Sequence, residues 1–154
     1  MRLVFLSGLT IVTAILFSSC GNNKADQPET ELDTVAVYSW AASLNDSTGR
    51  LELKKQEGMG PDSLSIPATL AYLNTAYPNI KLDLVKISND TVYLKIDEAN
   101  YLTQQMGSSG PTLYLSEVVY DLTEIPGIRN VSFAMEEGDH AGPGVYSRES
   151  FKDE

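Results

Sequence analysis

Cysteine and histidine are nearly absent from this 154-residue sequence, which has one of each, Cys20 and His140. A lone cysteine has no partner for a disulfide within the chain. A serine–histidine–aspartate triad would have to use His140, and no nucleophile-elbow motif precedes that residue. The sequence therefore predicts a protein that is not an enzyme and needs no cofactor.

Basic residues are also scarce, since 11 lysines and arginines stand against 21 aspartates and glutamates, for a net charge of −10 at pH 7. So acidic a chain repels phosphate backbones, which excludes nucleic acid as an expected partner. It would not adhere to anionic lipid by charge either. Membrane affinity would then have to come from attached acyl chains.

Residues 1–19 have the composition of a signal peptide. Arg2 gives a positive start, residues 3–17 form an apolar run of about 15 residues, and two serines follow. The run is shorter than the roughly 20 residues of a transmembrane helix. Cys20, directly after the serines, resembles the lipidated cysteine of a bacterial lipobox. This resemblance implies cleavage before Cys20, its acylation and a membrane anchor, whereas ordinary secretory cleavage is the alternative.

Residues 20–33 are predicted to be a disordered tether, because Leu32 is their only large apolar side chain. A hairpin should follow, since residues 34–43 alternate as a strand and residues 45–49 are typical of a turn. Leu51 and Leu53 then alternate with charged residues in a second strand. Trp40 is interpreted as a packed aromatic rather than a ligand platform.

The next segment predicts a helix and a second hairpin. Ser65 is a candidate N-cap of a helix that ends at Pro78. One face of this helix should carry its apolar residues, Ile66, Leu70, Leu73 and Tyr77. Residues 80–97 then alternate in two strands, and the phase of the first one shifts in a way that indicates a β-bulge or a strand covered on both faces.

The last third of the sequence predicts a loop at residues 99–110, a helix that starts at Pro111, and a strand at residues 128–135. Pro126 and Gly127 should end the helix. Residues 138–154 are rich in glycine, proline and charge, and we expect them to be only partly packed, with three candidate anchors: Val145, Tyr146 and Phe151.

Two stretches carry a family resemblance. Residues 91–97, with the glycine- and serine-rich loop after them, and residues 118–133 resemble the GerMN (sporulation and spore germination) domain. The resemblance implies an α+β fold over residues 34–137, a two-layer α/β sandwich with an N-terminal hairpin and then the order α-β-β-α-β, like ring-building modules of envelope assemblies. Its motif residues here are Leu122, Pro126, Gly127, Val131 and Phe133. It implies no catalytic residues, and Asp121 stands where the family often has threonine.

Metal and phosphate sites find little support in the sequence. Oxygen and nitrogen ligands occur close together only in the loop at residues 136–140, for which a solvated acidic loop is the favoured interpretation. Asp97 and Glu98 are adjacent, so a strand would point them to opposite faces. No glycine cluster matches a phosphate-binding motif. We therefore expect no metal site.

Two functions remain. The first is a protein interaction or assembly module in the bacterial cell envelope, on the periplasmic or extracellular side, that contacts an envelope protein or another copy of itself through a sheet edge. The second is a lipoprotein that binds a small ligand or glycan, for which Tyr93, Tyr101 and the loop at residues 99–110 are the candidates.

Three short sequences resemble the Asp-Ser/Thr-aliphatic sites at which Bacteroidetes attach glycans. They begin at Asp33, Asp62 and Asp90, so the candidate O-glycosylation sites are Thr34, Ser63 and Thr91. The start of the tether, residues 20–24, also resembles lipoproteins of that phylum. Chance agreement of a three-residue pattern is the alternative.

Overall fold

The computed structural model describes residues 38–153. The predicted signal peptide, Cys20, the tether and Thr34 lie outside these residues. Within them the chain forms six strands and two α-helices: β1 (Tyr38–Leu44), β2 (Leu51–Glu57), α1 (Ile66–Ala76), β3 (Asp83–Ser88), β4 (Thr91–Lys95), α2 (Gly110–Leu122), β5 (Asn130–Ala134) and β6 (Gly144–Tyr146). The predicted α+β fold and its element order are confirmed.

The strands form two open sheets. β1 and β2 pair antiparallel as the predicted N-terminal hairpin, with Tyr38 opposite Glu57 and Leu44 opposite Leu51. The other four strands form one sheet in the order β3-β4-β5-β6. β4 and β5 run parallel, because α2 carries the chain from one to the other, and the remaining pairs are antiparallel.

Both helices contribute side chains to one core with the larger sheet. Ser65 caps α1 by accepting a hydrogen bond from the amide of Ala68, and Pro67 occupies the first turn, where its missing N–H costs nothing. The core contains Leu70 and Leu73 of α1, and it is completed by buried residues of the other elements: Ile80, Leu82, Val92, Leu94, Ile96, Leu102, Tyr114, Leu115, Val118, Val119, Leu122, Val131 and Phe133. Helices and sheet thus share one core.

The predicted β-bulge lies in β3, where the pairing with β4 shifts register between Leu84 and Lys86. The alternative, a strand covered on both faces, is wrong for the described part of the chain. Leu84, Val85 and Ile87 are 42%, 58% and 50% exposed. β3 is therefore an edge strand that carries apolar side chains on the surface.

Two local predictions need correction. Residues 99–110 are not a simple loop, because Tyr101–Gln105 form a π-helical segment that buries Leu102 and Thr103. Its five residues are too few to give a recognisable period. The second helix ends at Leu122 rather than at Pro126. Beyond Leu122, backbone hydrogen bonds span three residues instead of the four of an α-helix. The amide of Ile125 donates to the carbonyl of Leu122, and the amide of Ile128 donates to the carbonyl of Ile125.

The C-terminal segment adds a strand that the pattern did not predict. β6 is three residues long and pairs Tyr146 with Val131 of β5. Its Val145 is 63% exposed, so among the expected anchors only Tyr146 and Phe151 pack on the core. Tyr146 contacts Phe133 edge-on and stacks on Phe151, which ends a short 3-10 helix at Arg148–Phe151.

Candidate functional site

The structural motif of the family resemblance lies in the core. Leu122 and Val131 are fully buried and Phe133 is 2% exposed. Pro126 and Gly127 lie on the surface in the turn before β5, where Gly127 has a φ of +88° that suits glycine. These residues hold α2 on the sheet and present no polar group for binding or chemistry.

The candidate O-glycosylation residues differ in access. Ser63 is exposed, whereas Thr91 is half-buried and its hydroxyl donates to the carboxylate of Asp90 at 3.2 Å. Val92, which completes the sequence that contains Thr91, is fully buried. A glycan on the folded domain is therefore sterically easier at Ser63 than at Thr91.

The residues that could have supported catalysis do not come together. The described part of the chain has no group of three or more histidine, cysteine, aspartate or glutamate side chains placed to hold a metal ion. His140 lies exposed in a bend, where its amide donates to the carbonyl of Thr103. Tyr101 borders a shallow hollow beside Tyr77 and Met106, and Tyr93 lies elsewhere, on β4.

The most organised polar cluster joins α2 to β1. Glu117, Asp121 and Glu124 are spaced so that all three carboxylates line one face of α2 and its end. Oδ1 of Asp121 accepts the amide of Trp40 at 2.7 Å, and Oε1 of Glu117 accepts the amide of Ala42 at the same distance. In β1 alternate amides point to alternate sides, so these two face away from β2. Side-chain carboxylates thus cap one edge of the strand.

Glu124 is the member of the cluster that forms salt bridges. The hydroxyl of Tyr38, the indole Nε1 of Trp40 and the guanidinium of Arg148 all donate to its carboxylate, and Nζ of Lys55 lies 3.6 Å from Oε2. Burial by itself would raise the pKa of Glu124, but the hydrogen bonds from Tyr38 and Arg148 and the charge of Arg148 outweigh it and lower the pKa to about 2. Glu124 is therefore ionised and paired.

Arg148 connects the C-terminal segment to this cluster. Its Nε donates to Oγ1 of Thr123 at 2.7 Å and its Nη2 to the carbonyl of Tyr120 at 3.0 Å, the end of α2 where a cation is favourable. The guanidinium also lies 4.7 Å from the ring centroid of Tyr120, which packs edge-on against Trp40. Trp40 is thus a packed aromatic with a hydrogen-bonded indole, as expected.

Glu117 and Asp121 are the members of the cluster that form no salt bridge with a lysine or arginine among the described residues. Burial raises the pKa of both groups, and for Asp121 the nearby charges of Glu117 and Glu124 add to the effect and bring the pKa to about 7. The hydroxyl of Tyr77 donates to Glu117, whereas Oδ2 of Asp121 has no hydrogen-bond partner among the described residues.

Sequence reasoning missed this cluster. It noted Asp121 only as a departure from the usual threonine and did not single out Glu117 or Glu124. The available signal was three carboxylates at positions i, i+4 and i+7 in a helix that also carries a continuous apolar face. Such carboxylates are normally solvated, so spacing alone does not reveal that a strand edge covers them.

The comparisons with known proteins show the family of the chain. A family model described as Germane, sporulation and spore germination, matches residues 21–139, which is more than half of the chain. No curated protein matches. The chain is similar to the tandem GerMN domains of the sporulation protein GerM from Bacillus subtilis, with 19% identity, a TM-score of 0.44 and coverage of 75% of this chain and 45% of that one.

A second solved structure, from Clostridium perfringens, is of a protein named as a candidate lipoprotein. It is 12% identical, with a TM-score of 0.40 and coverage of 77% of this chain and 91% of that one. None of the helices within residues 38–153 is both long and apolar enough to cross a membrane. On the match over residues 21–139, the chain belongs to the sporulation and spore germination family, the proteins with a GerMN domain.

Proposed function

We propose that this protein is a non-catalytic, lipid-anchored lipoprotein of the bacterial cell envelope whose GerMN domain pairs with a second copy through β3. Cys20 would carry the lipid, and the tether at residues 20–33 would hold the domain away from the bilayer. The support for the anchor comes from the sequence: a short apolar run, two serines and a lone cysteine.

The observation that carries the proposal is the open edge of β3. Its outer backbone groups form no hydrogen bond with other backbone groups of residues 38–153, and Leu84, Val85 and Ile87 are exposed. Natural proteins usually protect such edges with charges, prolines or covering segments, because an open apolar edge pairs readily with another strand. β3 carries a bulge between Leu84 and Lys86 and two charged residues, Asp83 and Lys86, but it has no proline and no covering strand among the described residues.

Charge favours a second copy as the occupant. The protein carries a net charge of −10, whereas β3 is balanced, with Asp83 near one end and Lys86 past its middle. Antiparallel pairing of two β3 strands about a two-fold axis sets Asp83 of each copy opposite Lys86 of the other, on the same face of the sheet. The local contact is then attractive although the two domains repel each other at longer range.

Anchoring would assist this pairing. Two copies held by lipid in one membrane meet at a far higher effective concentration than in solution, so a contact of one strand edge suffices for assembly. The long-range repulsion is screened by salt, with a Debye length of about 8 Å at physiological ionic strength. We therefore expect dimers to become more abundant as the salt concentration rises.

The test is chemical cross-linking of the full-length protein in native envelopes, followed by light scattering of the detergent-solubilised protein. Ile87→Lys places a charge on the proposed contact, and Met59→Lys is the matched control, because Met59 is 55% exposed and lies outside the four-stranded sheet. We expect dimers of the wild type and the control, and monomers of Ile87→Lys. A Cys20→Ala variant should reduce cross-linking in membranes.

Three results would contradict the proposal. A monomeric wild type in both settings would exclude self-association. Loss of the dimer in a Val145→Lys variant, with Ile87→Lys unaffected, would move the contact to β6, the opposite edge of the sheet. An intact mass that shows Met1 retained or Cys20 unmodified would exclude the lipid anchor.

A further inference from the structure

An open cavity of about 440 Å³ lies where the turn before β5 meets the C-terminal 3-10 helix. Residues 128–130 and residues 147–149 line it, together with Thr123, which follows α2. Its volume falls within the range of about 300–1,000 Å³ that is typical of small-molecule sites. The cavity is thus large enough for an organic molecule rather than a single ion.

The charge of this cavity is unlike that of the protein. Arg129 and Arg148 are two of the four arginines in a chain with a net charge of −10, and both line the cavity. The carboxylate of Glu149 also lines it but lies 2.5 Å from Nζ of Lys152, and Arg148 is paired with Glu124. These two ion pairs cancel, so the positive charge of Arg129 remains.

Arg129 is placed at the cavity by the backbone and is not used by the fold. The amides of Arg129 and Asn130 both donate to the carbonyl of Asp90, at 2.8 and 3.1 Å, which fixes this part of the turn. The side chain of Arg129 is exposed, and no carboxylate within residues 38–153 forms a salt bridge with it. Its guanidinium is therefore available to an anion that enters the cavity.

The chemistry of the lining residues defines the class of anion. A guanidinium is a planar fork that matches the two oxygens of a carboxylate. A single uncompensated positive charge balances a monoanion, whereas a phosphate group carries close to two negative charges at pH 7 and would be repelled by Glu149. Ile128 is half-buried and adds an apolar surface, and Ser147 adds a polar one.

We infer that this cavity binds a small organic carboxylate, whose carboxylate group accepts hydrogen bonds from the guanidinium of Arg129 and whose apolar part lies against Ile128. Arg148 and its partner Glu124 form one rigid wall of the site, since Arg148 also donates to Thr123 at 2.7 Å. This inference is independent of self-association, because β3 contributes no residue to the cavity.

The binding is measured by nuclear magnetic resonance on the full chain, labelled with ¹⁵N, in non-ionic detergent at pH 7. The amides of residues 128–130 report on the cavity because these residues line it. The probe is sodium isovalerate at constant ionic strength, and isovaleramide has the same shape without the charge. We expect saturable shifts with a dissociation constant on the order of 1 mM for isovalerate, which suits a ligand of so few atoms.

Three variants and one control isolate the contact. Arg129→Gln removes the charge, and Arg50→Gln is its matched control, because Arg50 is an exposed arginine between β1 and β2 that does not line the cavity. Arg129→Lys keeps the charge and removes the planar fork. Glu149→Gln removes the carboxylate of the cavity at an exposed position, so it should strengthen binding of an anion.

We expect isovalerate to bind about tenfold more weakly to Arg129→Gln than to the wild type and Arg50→Gln, with Arg129→Lys between these limits. Glu149→Gln should bind about threefold more tightly than the wild type. The proposal is overturned if the wild type shows no saturable shift, if isovaleramide binds as well as isovalerate, or if Arg50→Gln weakens binding as much as Arg129→Gln. Tighter binding of inorganic phosphate than of isovalerate would overturn the assignment to a carboxylate.

Discussion

β1 and β3 each have one edge that no other strand covers within residues 38–153. The backbone groups of these two edges differ in their hydrogen-bond partners. The free amides of β1 at Trp40 and Ala42 are occupied by carboxylates of α2 at 2.7 Å. The free edge of β3 has no backbone partner among the described residues and carries three exposed aliphatic side chains. One edge is closed by charge, and the other is open and apolar.

The two edges differ in the electrostatic cost of burying charged groups. Closing β1 requires two buried carboxylates without a cation, and burial disfavours their ionised forms. Leaving β3 open requires no buried charge but exposes a surface that can pair with another strand. If the closed edge depends on charge and the open edge does not, substitutions and changes of pH should affect the stability of the two edges differently.

The largest effect should appear in the pH dependence of stability. Burial raises the pKa of Asp121 from 3.8 to about 7, so the folded protein holds a proton that the unfolded chain has released between these values. The free energy of unfolding should therefore fall as the pH rises from about 4 to about 7, by up to about 4 kcal/mol, and then level off. Urea unfolding at several pH values measures this change.

Asp121→Asn should remove most of that slope, and the remainder should come from Glu117, whose pKa burial also raises. Asp97→Asn, at an exposed carboxylate, should leave the slope intact. In stronger acid the sign reverses, because the pKa of Glu124 is lowered to about 2 and stability is lost as the pH falls below about 4.5. An unchanged slope in Asp121→Asn would mean that its carboxylate is not held at the edge of β1.

The next effect concerns Glu117. Glu117→Ala leaves the amide of Ala42 and the hydroxyl of Tyr77 without their acceptor, and we expect a loss of about 2 kcal/mol in the free energy of unfolding. Glu117→Gln keeps an acceptor and should recover most of the loss. Chemical denaturation of the two variants side by side measures the difference. If both lose the same stability, charge and not the hydrogen bond closes the edge.

A smaller effect is expected at Arg148. Arg148→Ala removes donors to Glu124, Thr123 and the carbonyl of Tyr120, and about 1 kcal/mol of stability should be lost. The pKa of Glu124 should rise toward its ordinary value, since the neighbouring charge that lowers it is gone. Nuclear magnetic resonance titration of that carboxylate would detect the shift, and an unchanged pKa would leave Tyr38 as the main cause.

Local patterns were sufficient for most of the elements. The helix after Ser65 has apolar residues at helical spacing and a capping side chain, and both lie within one segment of chain. The bulge in β3 appeared as a shift of phase between Leu84 and Ile87. These predictions depend only on residues that are close together in the sequence, so the sequence pattern contains the information they need.

The cluster on α2 could not be predicted in this way. Trp40 and Asp121 are 81 positions apart, and Ala42 and Glu117 are 75 apart, so no local period records that they meet. β6 was missed for a related reason, because a strand of three residues shows no alternation and forms only by pairing with β5. The family resemblance identified buried apolar residues such as Leu122 and Val131, which carry none of the polar groups of the cluster.

The smallest effect on stability should come from the open edge. Ile87→Lys replaces a side chain that is 50% exposed, on a strand edge without a backbone partner in the described residues, so the free energy of unfolding of the monomer should change by less than about 0.5 kcal/mol. The same substitution should abolish the proposed pairing. Denaturation in dilute detergent solution measures the first quantity, and cross-linking measures the second. A large loss of monomer stability would mean that Ile87 belongs to the core, and the contrast between a closed and an open edge would then disappear.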